Sequence, residues 1–161
     1  MTVRTLQART VLDSENIFRK LQRQEDFSSF SPDIISVVPS CDDHALWKLA
    51  FRGGVVSWTQ QDDIQPDRMR IAFKQVEGDF IAFKGSWSVF PEPGSCRVVY
   101  DVEFRTSVAH LAGAVDPVVG RVLLRSAAAI LHACADPIEL LSGAEILDDL
   151  HSMPRTNPAA G

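Results

Sequence analysis

From Val55 to Phe104 the chain alternates apolar and polar residues in runs broken by turn residues, and from Val115 to Leu141 it becomes one long apolar segment. The first pattern has a period of two and predicts strands; the second has helical spacing. Thr2–Thr10 alternates in the same way and reads as a first strand. Asp13 or Ser14 offers an N-cap for a short helix carrying Ile17, Phe18 and Leu21, ending near Gln24. Asp26 to Pro32 supplies one more helical turn before Pro32 redirects the chain. Strands are then predicted over Ile34–Val38, His44–Phe51, Val55–Asp63, Met69–Val76, Phe80–Phe90 and Arg97–Arg105, with turns rich in Gly, Pro and Asp between them. Asp116-Pro117 is a helix start, because proline at the first position lacks a donor that would be orphaned there anyway. Val119, Leu123, Ser126, Ile130 and Ala133 form its stripe, widened by Val122, Ala129 and Leu131, and Asp136-Pro137 ends it.

The class is therefore α+β: a curved antiparallel sheet of about seven strands wrapped around a long C-terminal helix, with one or two short helices after the first strand. This is the outline of a helix-grip domain, in which sheet and helix enclose a cavity. Alternation assigns the inward face. Trp47, Leu49 and Phe51 share a side, as do Val56, Trp58, Gln60 and Asp62; Met69, Ile71, Phe73 and Gln75; Ile81, Phe83, Gly85, Trp87 and Val89; and Val98, Tyr100, Val102 and Phe104. In the last two strands every charge lies on the opposite face, so the aromatic side is the concave one. An aromatic face with few polar groups is the composition of a ligand pocket. A dry core has the same composition, but Gln60, Asp62, Gln75 and the Tyr100 hydroxyl are costly to bury without partners. A lined cavity accounts for them better.

Composition narrows the partners. The 161 residues fit one domain, read as 1–141 with a flexible extension over 142–161. The charged fraction is 23% and the net charge −5, with no basic run, which argues against nucleic acid. Three scattered cysteines, Cys41, Cys96 and Cys134, fit a reduced cytoplasmic protein better than a disulfide scaffold. The N-terminus lacks a signal-peptide pattern, and the apolar helix is interrupted by Arg121, Arg125, His132 and Asp136, so stable membrane insertion is not expected. No metal motif, phosphate loop or nucleophile elbow is present, and no cofactor is implied. A homodimer is left open.

Several segments resemble the START-like (SRPBCC) superfamily and its polyketide cyclase/dehydrase group. They are Asp26-Phe27-Ser28-Ser29-Phe30-Ser31-Pro32 followed by Ile35-Ser36-Val37, the Trp58-to-Asp62 strand, Arg70-Ile71-Ala72-Phe73, the hairpin from Glu77 to Trp87, and Arg97-Val98-Val99-Tyr100 before the last helix. The resemblance spans the chain to about Leu141 and implies a hydrophobic ligand: a polyketide, a quinone or a lipid. In aromatase/cyclases an arginine commonly follows the strand tryptophan by four residues; this chain has Asp62 there. A carboxylate cannot stabilise an enolate, although it can act as a base. The resemblance implies a cyclase-like protein at the family level; if it turns over a substrate, the residues themselves make Asp62 the first choice of base and Tyr100 the hydrogen-bond donor to a developing enolate. Trp47, Phe51, Trp58, Gln60, Phe73, Gln75, Phe83 and Trp87 would then hold the substrate. Its alternative is a non-catalytic lipid or quinone carrier, and a solvated strand end beside Asp63 is the plain reading of Asp62.

Overall fold

The computed structural model describes residues 1–106 and 112–143, with the side chains of that range except for 112–114. Eight strands in this range form one antiparallel sheet: β1 (Thr2–Thr10), β2 (Ile34–Pro39), β3 (His44–Phe51), β4 (Gly54–Gln65), β5 (Arg70–Gly78), β6 (Phe80–Glu92), β7 (Ser95–Thr106) and β8 (Ile138–Ser142). Their order across the sheet is β2-β3-β4-β5-β6-β7-β1-β8. Three α-helices, α1 (Ser14–Leu21), α2 (Phe27–Phe30) and α3 (Ala112–Ala135), cover one face. Asp13 caps α1, its carboxylate accepting from the Asn16 N–H at 3.2 Å.

Long strands twist, and bulges let them bend. The register slips at Ile34/Ser36, Thr59/Gln60, Phe80/Ala82 and Gln7/Ala8, which curves the sheet around α3. The slip beside Phe80 overturns one expectation. Ile81 is 55% exposed, while Phe80 is buried in its place, because the bulge shifts the alternation by one residue. From Phe83 onward the expected inward set holds.

The last helix starts a turn earlier than Asp116-Pro117. Asp116 does not cap it. Buried within the helix, it accepts from the Thr2 hydroxyl and from the Thr106 N–H, both at 3.1 Å, and so ties α3 to the start of β1 and the end of β7. The C-terminal carbonyls of α3 are met by tertiary donors: the Thr10 hydroxyl reaches Ala135 O at 2.6 Å and Lys20 Nζ reaches Cys134 O at 3.3 Å. Ala133 is exposed and Cys134 buried, since a four-residue step from Ile130 follows the sheet-facing stripe better than a three-residue step. Arg125 forks onto Asp33 at 2.7 and 2.8 Å, fixing the helix to the segment before β2. By length and composition α3 could cross a membrane, but 67% of that stretch is buried inside the domain, as befits a core helix.

An eighth strand completes the sheet of about seven expected from the sequence. Ile138–Ser142 pairs with β1, so β1 sits between β7 and β8. Five residues directly after a helix-ending proline carry too little alternation to read as a strand. The expected flexible extension lies outside the described residues from 144 onward.

Candidate functional site

The concave face carries a continuous aromatic run. Trp47 and Trp58 are register partners on β3 and β4, and their rings stack at 5.6 Å and 16°. Trp58 touches Phe80 and Phe83 at 5.3 and 5.0 Å, Phe83 meets Phe73 at 5.6 Å, and Phe73 stacks on Tyr100 at 6.0 Å. Trp87 closes the run against Tyr100 at 4.7 Å. Such offset and tilted pairs are the favoured aromatic geometries. Room for them comes from Gly85: a Cβ there would collide with the Asp101 carbonyl and come within 2.7 Å of the Phe73 ring.

Between these rings and α3 lies a cavity lined by Trp47, Trp58, Gln60, Phe73, Phe83, Trp87 and Tyr100 from the sheet. Leu123, Ser126, Ala127 and Ile130 face it from the helix, with Ile34 and Leu49 at one end. Its volume is about 30 Å³. One water molecule needs about that much, whereas pockets that enclose drug-sized ligands run to roughly 300–1,000 Å³. The hollow read from the sequence lies where alternation puts it, and the rings that line it take up most of its space. A larger, open depression of about 840 Å³ lies on the other face of the sheet. Its walls include Gln61, Asp63, Lys74, Lys84, Asp101 and Glu103, with Lys84 and Glu103 paired at 3.6 Å.

A polar chain leaves one end of the cavity. Trp58 donates its indole N–H to Gln60 Oε1 at 3.1 Å. Gln60 Nε2 donates to Asp62 Oδ1 at 2.9 Å and to Gln24 Oε1 at 3.2 Å. The Asp62 main chain is fixed by its own N–H donating to Asp43 O at 3.0 Å. Asp62 does not itself line the cavity; Gln60 stands between. Burial pushes its carboxyl up from 3.8 to about 6, hydrogen bonds from Gln60 and Gln24 pull it partway back, and the charge of Asp43 adds to the rise. Burial also holds the Tyr100 phenol well above its ordinary range, so it stays protonated. Tyr100 lies on β7, three strands from β4, or roughly 14 Å across the sheet at ordinary strand spacing.

Two residues singled out from the sequence stand apart from the cavity. The Gln75 amide donates to Phe80 O at 2.9 Å and accepts from the Phe80 N–H at 3.1 Å, clasping the β5–β6 turn. Phe51 is half-buried at the β3–β4 hairpin. Sequence reasoning missed Gln24, which is 5% exposed. It sits in the polar run Gln22-Arg23-Gln24-Glu25, where no periodicity marks one residue as inward. It also missed Phe80, whose inward turn depends on the bulge described above. Trp47 keeps one loose end: its indole nitrogen is buried without an acceptor among the described residues.

Solved structures share this arrangement at low sequence identity. The TTHA0849 protein of Thermus thermophilus superposes with a TM-score of 0.72 at 18% identity, covering 83% of this chain and 94% of its own. The Zhui aromatase/cyclase from a Streptomyces species, strain R1128, gives 0.69 at 16% identity, with 83% and 94% covered. A START superfamily protein from Mycobacterium smegmatis gives 0.68 at 15%, with 82% and 96% covered. These likenesses establish a START-like fold. No curated protein matches the sequence. Residues 13–131 match the family model described as polyketide cyclase / dehydrase and lipid transport, and the chain belongs to that family.

Proposed function

We propose that this protein takes an extended, oxygenated apolar molecule between its sheet and α3 and promotes its cyclisation and dehydration. The observation that carries this reading is the chain Trp58–Gln60–Asp62, which leads from an aromatic interior to a carboxyl raised to about 6. A carboxyl with that affinity for protons is part ionised near neutrality and can both take and return one. Asp62 would remove a proton from a carbon flanked by two carbonyls. The resulting enolate carbon would attack a third carbonyl of the same chain, forming the ring bond. The alkoxide so made takes the proton back from Asp62, and loss of water follows. Orientation supplies most of the rate, because both reacting carbons belong to one folded chain.

Trp47, Trp58, Phe73, Phe83 and Trp87 would stack against the substrate. Tyr100, a protonated phenol, would donate to an oxygen at the far end. A cavity of 30 Å³ requires the rings or α3 to part before a guest enters, so apparent affinity is lowered by the fraction of molecules that are open. The second reading is a carrier without turnover, favoured by Asp62 standing outside the cavity lining.

Single-turnover reactions with a linear poly-β-ketone thioester separate the two. Asp62→Asn should keep bound substrate and lose ring closure, and turnover in the unaltered protein should rise with pH through about 6. Equal product from both proteins, or none above the buffer rate from either, removes Asp62 as a base and leaves the carrier.

A further inference from the structure

Two stacked indoles face the cavity, and they differ in one respect. The N–H of Trp58 is satisfied inside the protein by Gln60. The N–H of Trp47 is not: the residue is 9% exposed, and its Nε1 is buried with no acceptor among the described residues. A buried indole N–H ordinarily finds a partner. Packing leaves this one little freedom to seek water, since Trp58 stacks on one face of the ring and Phe27 meets it edge-on at 6.0 Å. Two polar side chains of the cavity wall, Gln60 and Ser126, are already engaged. Gln60 accepts from Trp58 and donates to Gln24 and Asp62, and Ser126 accepts from Ser31 at 3.3 Å.

We propose that Trp47 is the anchor for an acceptor oxygen on the guest, a ring ketone or a phenolate, and that the guest is a flat aromatic or ring-forming molecule lying along the Trp47–Trp58 stack. This rests on the reading that the cavity takes an apolar guest, and it narrows the class. A plain hydrocarbon chain leaves the N–H unpaired, whereas a carbonyl-bearing ring system pairs it. A site built around a donor discriminates against analogues that lack the acceptor.

Fluorenone and fluorene, one tricycle with and without a ring carbonyl, test the anchor. The protein carries three tryptophans, so ¹⁵N-indole labelling gives three N–H signals, and Trp47→Phe identifies one of them. Fluorenone should move the Trp47 signal downfield and fluorene should not. Trp47→Phe removes the donor and part of the stacking surface, so it should lower fluorenone affinity about tenfold more than fluorene affinity, the effect of one neutral hydrogen bond. If both compounds move the signal alike, or Trp47→Phe weakens both alike, the anchor is overturned while the guest cavity stands. If neither compound binds up to its solubility limit, the guest cavity falls and the anchor with it. Should Trp47→Phe fail to fold, Trp58→Phe and Trp87→Phe assign the other two signals and so Trp47 by elimination, and the downfield shift in the unaltered protein decides.

Discussion

Replacing Asp62 by Asn should make the protein more stable at neutral pH, and by an amount that grows as pH rises. The folded carboxyl binds its proton more tightly than the unfolded one, about 6 against 3.8. The favourable contribution is therefore fully present below 3.8 and is lost as pH climbs through about 6. Above that, folding works against ionisation of a part-buried group. The gap corresponds to about 3 kcal/mol once both states are fully ionised. At about pH 4.5 the linkage relation leaves about 1 kcal/mol, and at about pH 7.5 nearly the whole of it. Asn suits the comparison because its carbonyl can still accept from Gln60 Nε2, which keeps the 2.9 Å link. Urea titrations followed by circular dichroism at several pH values, on both proteins, measure the difference directly. Other titrating groups cancel in the subtraction. A difference that stays flat with pH would show that Asp62 does not carry a raised proton affinity. A variant less stable than its parent at about pH 7.5 would show that the ionised carboxylate holds the site together, and the base role would lose its footing.

Other substitutions test the frame around the site. Gly85→Ala should cost about 1–3 kcal/mol by overpacking, read as a lowered Tm, because its Cβ meets the Asp101 carbonyl and the Phe73 ring. Asp116→Ala should cost about 1–3 kcal/mol in denaturant titrations, since it strands the buried Thr106 N–H. Phe83→Ala should cost about 3–5 kcal/mol and turn the 30 Å³ cavity into one that admits a small aromatic such as benzene, visible as a ligand-dependent rise in Tm.

Most of the fold is legible because the strands obey alternation wherever one face is buried. β7 shows it well: Val98, Tyr100, Val102 and Phe104 are buried while Arg97, Asp101, Glu103 and Arg105 point away. The failures occur where a non-local contact overrides the local pattern. Ile81 obeys the alternation on paper, but a bulge moves Phe80 inward. Asp116-Pro117 looks like a helix start because capping is the commonest local use of Asp, and here the carboxylate serves β1 and β7. Ile138–Ser142 is a strand because β1 offers it an edge, which lies far away in sequence. For the site, the pattern names the cavity-lining aromatics and misses Gln24, whose burial depends on Gln60 reaching it from β4. Alternation also says which side chains face one another, not how much space they leave. Ring-to-ring distances of 4.7 to 6.0 Å are a property of the folded molecule alone.

For any of this chemistry to occur, the aromatic interior must open to accept an apolar guest. Native mass spectrometry of the protein purified from a polyketide-producing bacterium tests it most directly, followed by solvent extraction of whatever is bound. A fraction of molecules should carry the added mass of one oxygenated, ring-bearing compound, released on unfolding. The bare polypeptide mass, unchanged after incubation with saturating aromatic ketones, would contradict it and leave the interior a packed core.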